Sequence, residues 1–308
     1  MQYPKVSIQI PTYNQAAFIV KAIESCLAQD YPNLEINIAD DCSSDNTGEL
    51  ARSFRHDDRV RYFRNEQNRG RVANYHKALY EYATGEWAIN LDGDDYFTDP
   101  SFISRAIRTL TDFEDEKAIA YLASQDISKT AALLPSVNRL DERTILVDGS
   151  AYFLHYYNIL RFYHGATIYK RTAAMQHDFY SYNCLFTDFN SIAKLFINNK
   201  LVLSGEEVIM WRQHDQNQSA TLNADNIQQE LGSMDELAGF ASTGLAAAQV
   251  GKWKRKMKAF LLSMYIDMQH TTEQKKTAVK ILTRNFKFDA TYFRLLIKAK
   301  MKSMGLWR

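Results

Sequence analysis

Residues 86–95 read Glu-Trp-Ala-Ile-Asn-Leu-Asp-Gly-Asp-Asp, a strand from Glu86 whose apolar stretch, Trp87 to Leu91, empties into Asp92, Asp94 and Asp95. The run has the length and composition of a buried strand. Charges of one sign crowded at a strand's end repel, and each resists ionisation beside the others unless a cation or strong donors offset them. Two readings follow. Oxygen-only ligands suit a hard ion, Mn²⁺ or Mg²⁺, which shares its coordination with substrate phosphates. Alternatively, the three acids form a solvated turn ahead of a helix that starts at Pro100.

Working back towards the start, the same pattern repeats. Val6 to Ile10 reads as a strand stopped by Pro11, followed by a helical pattern through Phe18, Ala22, Ile23, Cys26 and Leu27. Leu34 to Ala39 is a second strand, and Ser43-Ser44-Asp45 supplies an N-cap for a helix through Phe54. Val60 to Phe63 is a third strand, with a helix over Val72 to Tyr82 before the fourth. Strands alternating with helices predict an α/β fold, a mostly parallel, doubly wound sheet whose ligands sit beyond the strands' carboxyl ends. The middle is less regular. Ala118–Leu122, Thr144–Val147, 166–170 and 201–211 look extended, a loop surrounds Pro135, and a helix is expected from Asp188 to Asn198. After Asn223 the pattern is helical to the end, which sets expected boundaries of 1–222 for the sheet domain and 223–308 for a basic helical region.

A chain of 308 residues, 46% hydrophobic and 24% charged, can bury a large core and has the balance of a water-soluble globular protein. Cys26, Cys42 and Cys184, odd in number and far apart, match neither a disulfide framework nor a zinc site. No run of 18 apolar residues is present, and Met1 to Lys5 leads straight into a strand, so the expected compartment is the cytoplasm. The net charge of +1 conceals an asymmetry: residues 251–308 carry 15 Lys and Arg against 3 Asp and Glu, and the other 250 carry 22 against 33. A basic block on an acidic body points to an anionic surface or partner. With no nucleic-acid module in the chain, nucleic acid is not the expected partner.

Each of the other strand ends carries polar residues. Pro11-Thr12-Tyr13-Asn14 follows the first strand, Asp40-Asp41-Cys42-Ser43-Ser44-Asp45 the second, and Asn65 to Arg71 the third. In a doubly wound sheet these loops line one crevice with Asp92–Asp95. Carboxylates there can accept from a base N–H or a ribose hydroxyl, and Arg69 or Arg71 can meet a pyrophosphate. Neither a Walker A loop nor a G-x-G-x-x-G follows the first strand, so a bound nucleotide would need a metal against its phosphates.

The ordered series SIQIPTYNQ, IADDCSSDNTG, NRGRVANYHKAL and INLDGDDYF, from residue 7 to residue 97, resembles family-2 inverting glycosyltransferases with the GT-A (Rossmann-like) fold, of the bacterial polysaccharide and O-antigen type. The resemblance extends over about residues 4–220. It implies a nucleotide-sugar donor, most often a UDP-sugar, transfer of a hexosyl or N-acetylhexosaminyl group, and Mn²⁺ or Mg²⁺ as cofactor. By motif, Pro11, Thr12, Tyr13 and Asn14 would form the nucleotide pocket, Asp41 would contact the base, and Asp40 would support that loop. Asn68, Arg69, Arg71 and Asn74 lie in the third motif, and Asp92, Gly93 and Asp94 fall on the D-x-D element, with Asp95 as an extra acid. Asp92, Asp94 and Asp95 are the expected metal ligands. The segment YNCLFTDFNSIAKLFINNKL matches the context of the family's catalytic base, with Asp188 as the base and Thr187 where a Glu is usual. MWRQHDQNQS resembles an R-x-H segment followed by a serine, which implies Arg212 at the donor and His214 at the metal. His155, His164 and His177 carry no such implication.

The basic C-terminal helices admit two readings. Trp253, Met257, Phe260, Leu261, Met264 and Met268 form an apolar stripe with lysines beside it. Such a surface suits the anionic inner face of a membrane, at about 1 kcal/mol per well-placed cation. The same stripe serves equally to pack one helix on others. The expectation is a cytoplasmic, peripheral-membrane enzyme acting on a glycan acceptor carried by a polyprenyl diphosphate. Two rivals differ in testable residues. A sugar nucleotidyltransferase would carry a glycine-rich basic loop where Pro11–Asn14 stands, and a non-catalytic nucleotide- or glycan-binding module could dispense with Asp188.

Overall fold

The computed structural model describes residues 3–113, 118–215, 222–268, 271–286 and 290–303. The chain divides into two compact units, Met1–Tyr182 with Thr187–Gln213, and Asn183–Phe186 with His214–Arg308.

The first unit opens with β1 (Val6–Thr12), α1 (Ile19–Leu27), β2 (Leu34–Asp40), α2 (Thr47–Arg52), β3 (Val60–Arg64), α3 (Arg71–Lys77) and β4 (Trp87–Asn90). All residues of β1 and β2 are buried, as in a parallel sheet covered on both faces. After β5 (Tyr96–Phe97) and α4 (Phe102–Asp112) come β6 (Ala118–Leu122), α5 (Ile127–Leu133), β7 (Asn138–Arg139), β8 (Thr144–Asp148) and α6 (Gly149–Ile159). The unit closes with β9 (Thr167–Lys170), α7 (Arg171–Gln176), α8 (Thr187–Lys194), β10 (Lys200–Ser204) and β11 (Ile209–Met210). Nine strands form one sheet in the order β3-β2-β1-β4-β9-β6-β10-β8-β7, and β11 pairs separately with β5. β1 to β4 run parallel, β9 lies antiparallel between β4 and β6, and β10 is parallel to β6.

One face of the sheet is apolar, with Ile8, Ile10, Ile36, Ile38 and Ile89 packed in a core with Ile19, Ile23, Phe102, Ile103 and Leu110. Each large side chain fully removed from water there contributes roughly 1.5–3 kcal/mol. The alternate residues Ser7, Gln9, Glu35 and Asn37 are buried and polar. Glu35 gathers donors from Ser7 Oγ (2.5 Å), Thr84 N (2.6 Å), Thr84 Oγ1 (2.8 Å) and Lys5 Nζ (2.6 Å).

Two local expectations are corrected. Pro11 does not stop β1, which runs on to Thr12. Its β4 partner has already ended at Asn90, opposite Gln9, and the Pro11 carbonyl accepts from Gly93 N (3.2 Å). The missing N–H lies on this same side, so the β1/β4 ladder loses one bond there while the carbonyl contact to Gly93 carries the strand on. The segment before Pro135 is also more ordered than expected, because the Asp126 carboxylate caps α5 through Lys129 N (2.9 Å).

Among the described residues of the second unit, α9 (Ala224–Ala241), α10 (Ala247–Asp267), α11 (Thr272–Asn285) and α12 (Ala290–Ser303) follow one another. Buried Glu230 accepts from the backbone N–H groups of Leu185 and Phe186, which joins that short segment to α9. Trp253, Met257 and Leu261 of the anticipated stripe are buried, while Phe260, Met264 and Met268 are half-buried. Part of the positive charge is neutralised within the unit. Lys254 and Lys258 pair with Asp235 at 3.2 and 2.6 Å, and Lys298 with Asp267 at 2.5 Å. No described helix is long and apolar enough to cross a membrane.

Candidate active site

Loops after β1 to β4 knit together at the carboxyl ends of these strands. Asn14, at φ 53°, donates its N–H to Ser43 Oγ (3.0 Å) and accepts from Ser44 N at its side-chain oxygen (2.8 Å). Positive φ is cheapest for Gly and Asn, and the amide's local bonds stabilise the turn. Asp41 N donates to Thr12 O (2.9 Å) and Asn65 N to Asp40 O (2.8 Å), so the second loop is tied to both neighbours. Tyr13, just past the end of β1, is 47% exposed.

The two acids of the second loop have separate partners. Asp40 accepts from Ser43 N (2.8 Å) and Tyr62 Oη (2.5 Å), which secures the turn. Asp41 accepts from Asn65 Nδ2 (2.8 Å), Arg69 N (2.9 Å) and Gly70 N (2.8 Å). A carboxylate offers about four acceptor positions, so one more donor, such as a base N–H, can be taken. Asn74 is buried and structural, with its amide on Ala39 O (2.7 Å) and Asn65 Nδ2 (3.1 Å). Asn68 and Arg69 are exposed at the rim. Gly70, at φ 86°, turns the chain into α3.

The fourth loop is the most constrained. At Gly93 a Cβ would collide with Gln15 Oε1 and lie 3.0 Å from Thr12 Oγ1, so a larger residue would have to turn the Gln15 amide away and press on Thr12. Asp92 Oδ1 accepts from Tyr75 Oη (2.5 Å) and Asn90 Nδ2 (3.3 Å), and Oδ2 has no hydrogen-bond partner among the described residues. Burial and the neighbouring Asp94 charge push the Asp92 carboxyl up to about 7, against the Tyr75 bond and Arg71. Burial and Asp92 push Asp95 up to about 8, although Arg212 N donates to its Oδ1 (3.0 Å).

Arg71 and Asp188 complete the group. The Arg71 guanidinium lies 5.4 Å from the Tyr75 ring centre. Burial opposes its charge, but Tyr75, Asp188 and Asp92 outweigh that and hold the cation firmly. Asp188 stands in the first turn of α8, partly buried, and its charge acts on Asp92, Arg71 and His164. The structure thus brings the expected base and the D-x-D acids into one electrostatic neighbourhood.

Arg212 is placed differently from a free phosphate-binding cation. Its Nε donates to Asp94 O, its terminal nitrogen to Phe18 O (3.0 Å), and its guanidinium lies 4.9 and 5.3 Å from the Phe18 and Tyr96 ring centres. It braces the acid loop. His214 belongs to the second unit, and Ser219, the serine after the R-x-H segment, lies outside the described residues. Among the described residues, no three His, Cys, Asp or Glu side chains form a group that could hold a metal alone. The donor set still fits a hard ion that takes one or two carboxylates and completes its coordination with phosphates and water. Burial is the first cause of the raised proton affinity of Asp92 and Asp95, and the charges of the neighbouring acids add to it.

Sequence reasoning passed over His164 and Tyr75. His164 is buried between Asn90 Nδ2 (3.2 Å from Nδ1) and Tyr180 Oη (2.7 Å from Nε2). Tyr75 could have been suspected from its place in the third motif itself, one turn into α3. Nothing local marked His164.

A mostly parallel sheet with acids and helix starts gathered at its strand ends is consistent with the GT-A fold. The chain belongs to glycosyl transferase family 2, whose family model matches residues 7–177. It is 38% identical over 109 residues to the GalNAc(5)-diNAcBac-PP-undecaprenol beta-1,3-glucosyltransferase of Campylobacter jejuni, covering 35% of this chain and 33% of that one. To the putative colanic acid biosynthesis glycosyl transferase WcaA of Escherichia coli it is 37% identical over 98 residues, 31% of this chain and 34% of that one. These matches span only about a third of the curated relatives. Among solved structures, S. aureus TarS 1–349 in complex with UDP-GlcNAc superposes with a TM-score of 0.64 at 17% identity, over 98% of this chain and 89% of that one. The mannosyltransferase PcManGT of Pyrobaculum calidifontis, in complex with GDP-Man and Mn²⁺, gives 0.53 at 17% identity, over 99% and 88%.

Proposed function

We propose that this protein is an inverting glycosyltransferase that moves a hexosyl or N-acetylhexosaminyl group from a UDP-sugar to a hydroxyl of a glycan acceptor during bacterial cell-surface polysaccharide synthesis. The observation that carries the reading is the convergence of Asp188, Arg71 and Asp92 at the ends of the parallel strands. Asp188 takes the proton of the acceptor hydroxyl as its oxygen bonds to the anomeric carbon and the bond to the nucleotide diphosphate breaks on the opposite side. Arg71, held charged by its acidic neighbours, faces the negative charge that builds on the leaving diphosphate. Tyr13 gives the base a ring face, and Asp41 takes its N–H while ordering the third loop. Asp92, with Asp94 or Asp95, would hold Mn²⁺ or Mg²⁺, which supplies a Lewis acid at the diphosphate when bound. The Mn²⁺ found with the Pyrobaculum mannosyltransferase supports the use of a divalent ion.

Asp188→Asn tests the centre of the proposal. It should lower turnover by about 10²–10⁴-fold and leave UDP binding by calorimetry intact. Unchanged turnover would remove Asp188 as the base, whereas wild-type protein that binds UDP but turns over no nucleotide-sugar would favour a binding module.

An acceptor on a polyprenyl diphosphate draws support from the undecaprenol-linked substrate in the Campylobacter relative's name. Phe293 and Ile297 also stand one turn apart on α12, 51% and 57% exposed, in the strongly basic part of the chain. These residues would enter the surface of an anionic inner leaflet. Co-flotation with anionic vesicles at low salt checks this, and a protein that stays in the soluble fraction while glycosylating short soluble acceptors at full rate would sink the lipid-linked version.

A further inference from the structure

His164 has no role in the transfer just described, yet its two ring nitrogens are both engaged in a buried position. Asn90 lies at the end of β4, and its Nδ2 is 3.3 Å from Asp92 Oδ1 and 3.2 Å from His164 Nδ1. The amide nitrogen carries two hydrogens, one for each acceptor. With Asp92 ionised, as a bound cation would hold it, turning the amide over would set its carbonyl oxygen against the carboxylate, so the charge fixes the orientation. Nδ1 of His164 must then be without a hydrogen, and Nε2–H donates to Tyr180 Oη at 2.7 Å. Tyr180 in turn meets Tyr169 Oη at 3.4 Å and donates its backbone N–H to buried Ser191 Oγ (2.9 Å). The imidazole is enclosed by the rings of Tyr75 (5.6 Å), Tyr180 (5.8 Å) and Phe162 (6.4 Å), measured between ring centres. Burial, outweighing the opposing Asp188 charge and aided by Arg71, keeps His164 neutral with its acidity shifted to about 4.

We propose that His164 is a positioning residue for the donor's metal contact: its unprotonated Nδ1 holds Asn90, and Asn90 with Tyr75 fixes Oδ1 of Asp92 so that Oδ2 stays available to the cation. The inference rests on the reading of Asp92 as a metal contact. Both donors meet the same carboxylate oxygen, which would leave the other to a cation. Partners that orient a metal-binding side chain in this manner carry about 10- to 100-fold in metal affinity.

The test compares three replacements in the full chain, with Mn²⁺-dependent UDP binding by calorimetry as readout. The carbonyl of an Asn side chain reaches the place of Nδ1, whereas the Gln amide reaches the place of Nε2. His164→Leu should raise the Mn²⁺ concentration for half-maximal UDP binding about 10- to 100-fold, His164→Asn should recover most of that loss, and His164→Gln should not. UDP binding without metal should stay level across the series, which separates positioning from general damage to the fold. A Leu variant that responds to Mn²⁺ as wild type does, or a Gln variant that recovers as well as Asn, overturns the inference alone. Wild-type protein that binds UDP no better with Mn²⁺ than without sinks the reading of Asp92 and this inference with it. Nitrogen-15 spectra of the wild-type histidines give an independent check: His164 should show the Nε2–H tautomer through neutral pH, and a protonated Nδ1 overturns the proposal.

Discussion

Replacing Glu35 by Gln removes a buried negative charge and keeps the side-chain shape. In the folded protein burial pushes this carboxyl up, but donors from Lys5, Ser7 and Thr84 prevail and bring it down from 4.5 to about 2. Each factor of ten in proton affinity corresponds to about 1.4 kcal/mol, so the charged form stabilises the fold by roughly 3 kcal/mol at most. Lys5 is 40% exposed on its side chain, and solvent screening brings the expected figure to about 2 kcal/mol. The sign follows from the protons bound. The folded state holds its proton less tightly than the unfolded state, so the stabilisation is complete above about pH 5, and it is lost as pH falls through 4.5 towards 2. Urea unfolding of wild type and Glu35→Gln from pH 2.5 to 7 should show a gap of about 2 kcal/mol at neutral pH that closes in acid. A gap that is the same at every pH, or under about 0.5 kcal/mol at pH 7, would refute the assignment of stabilisation to this charge.

Three further outcomes are expected. Gly93→Ala should turn the Gln15 amide away and press on Thr12, lowering stability by about 1–3 kcal/mol and weakening UDP binding, as read by thermal melting and calorimetry. Arg212→Lys cannot reproduce the fork on Asp94 O and Phe18 O, so the melting temperature should fall by a few degrees, equivalent to about 1–3 kcal/mol, and the Mn²⁺ requirement should rise. Asp41→Ala frees the N–H groups of Arg69 and Gly70, and hydrogen exchange at these two amides should speed up while UDP affinity drops about tenfold or more.

The first hundred residues were legible because parallel strands covered on both faces run as short apolar blocks, with helical spacing between them. Ala118–Leu122 was readable for the same reason. Two-residue strands such as β5 and β11 leave no periodic trace and exist only through their pairing. Glu35 looks like an outward residue in an alternating strand, and only the fold encloses it. The acids at the strand ends stood out because their spacing and order carry the family pattern. His164 did not, since its meaning comes from Asn90, 74 positions earlier. Arg212 was recognisable as a cation near the donor loops, but its use as a brace depends on carbonyls 118 and 194 positions away.

The brace on the acid loop has a consequence for biosynthesis. β4 and the Asp92–Asp95 turn leave the ribosome more than a hundred residues before Ile209, Met210 and Arg212, which pair with β5 and hold Asp94 and Asp95. During synthesis the early strands can assemble while the turn that follows them is still unsecured. The competent arrangement of acids is therefore set only once the far end of the sheet domain has been made, so a nascent or truncated chain ending before residue 209 would have the strands of this crevice without its fastening.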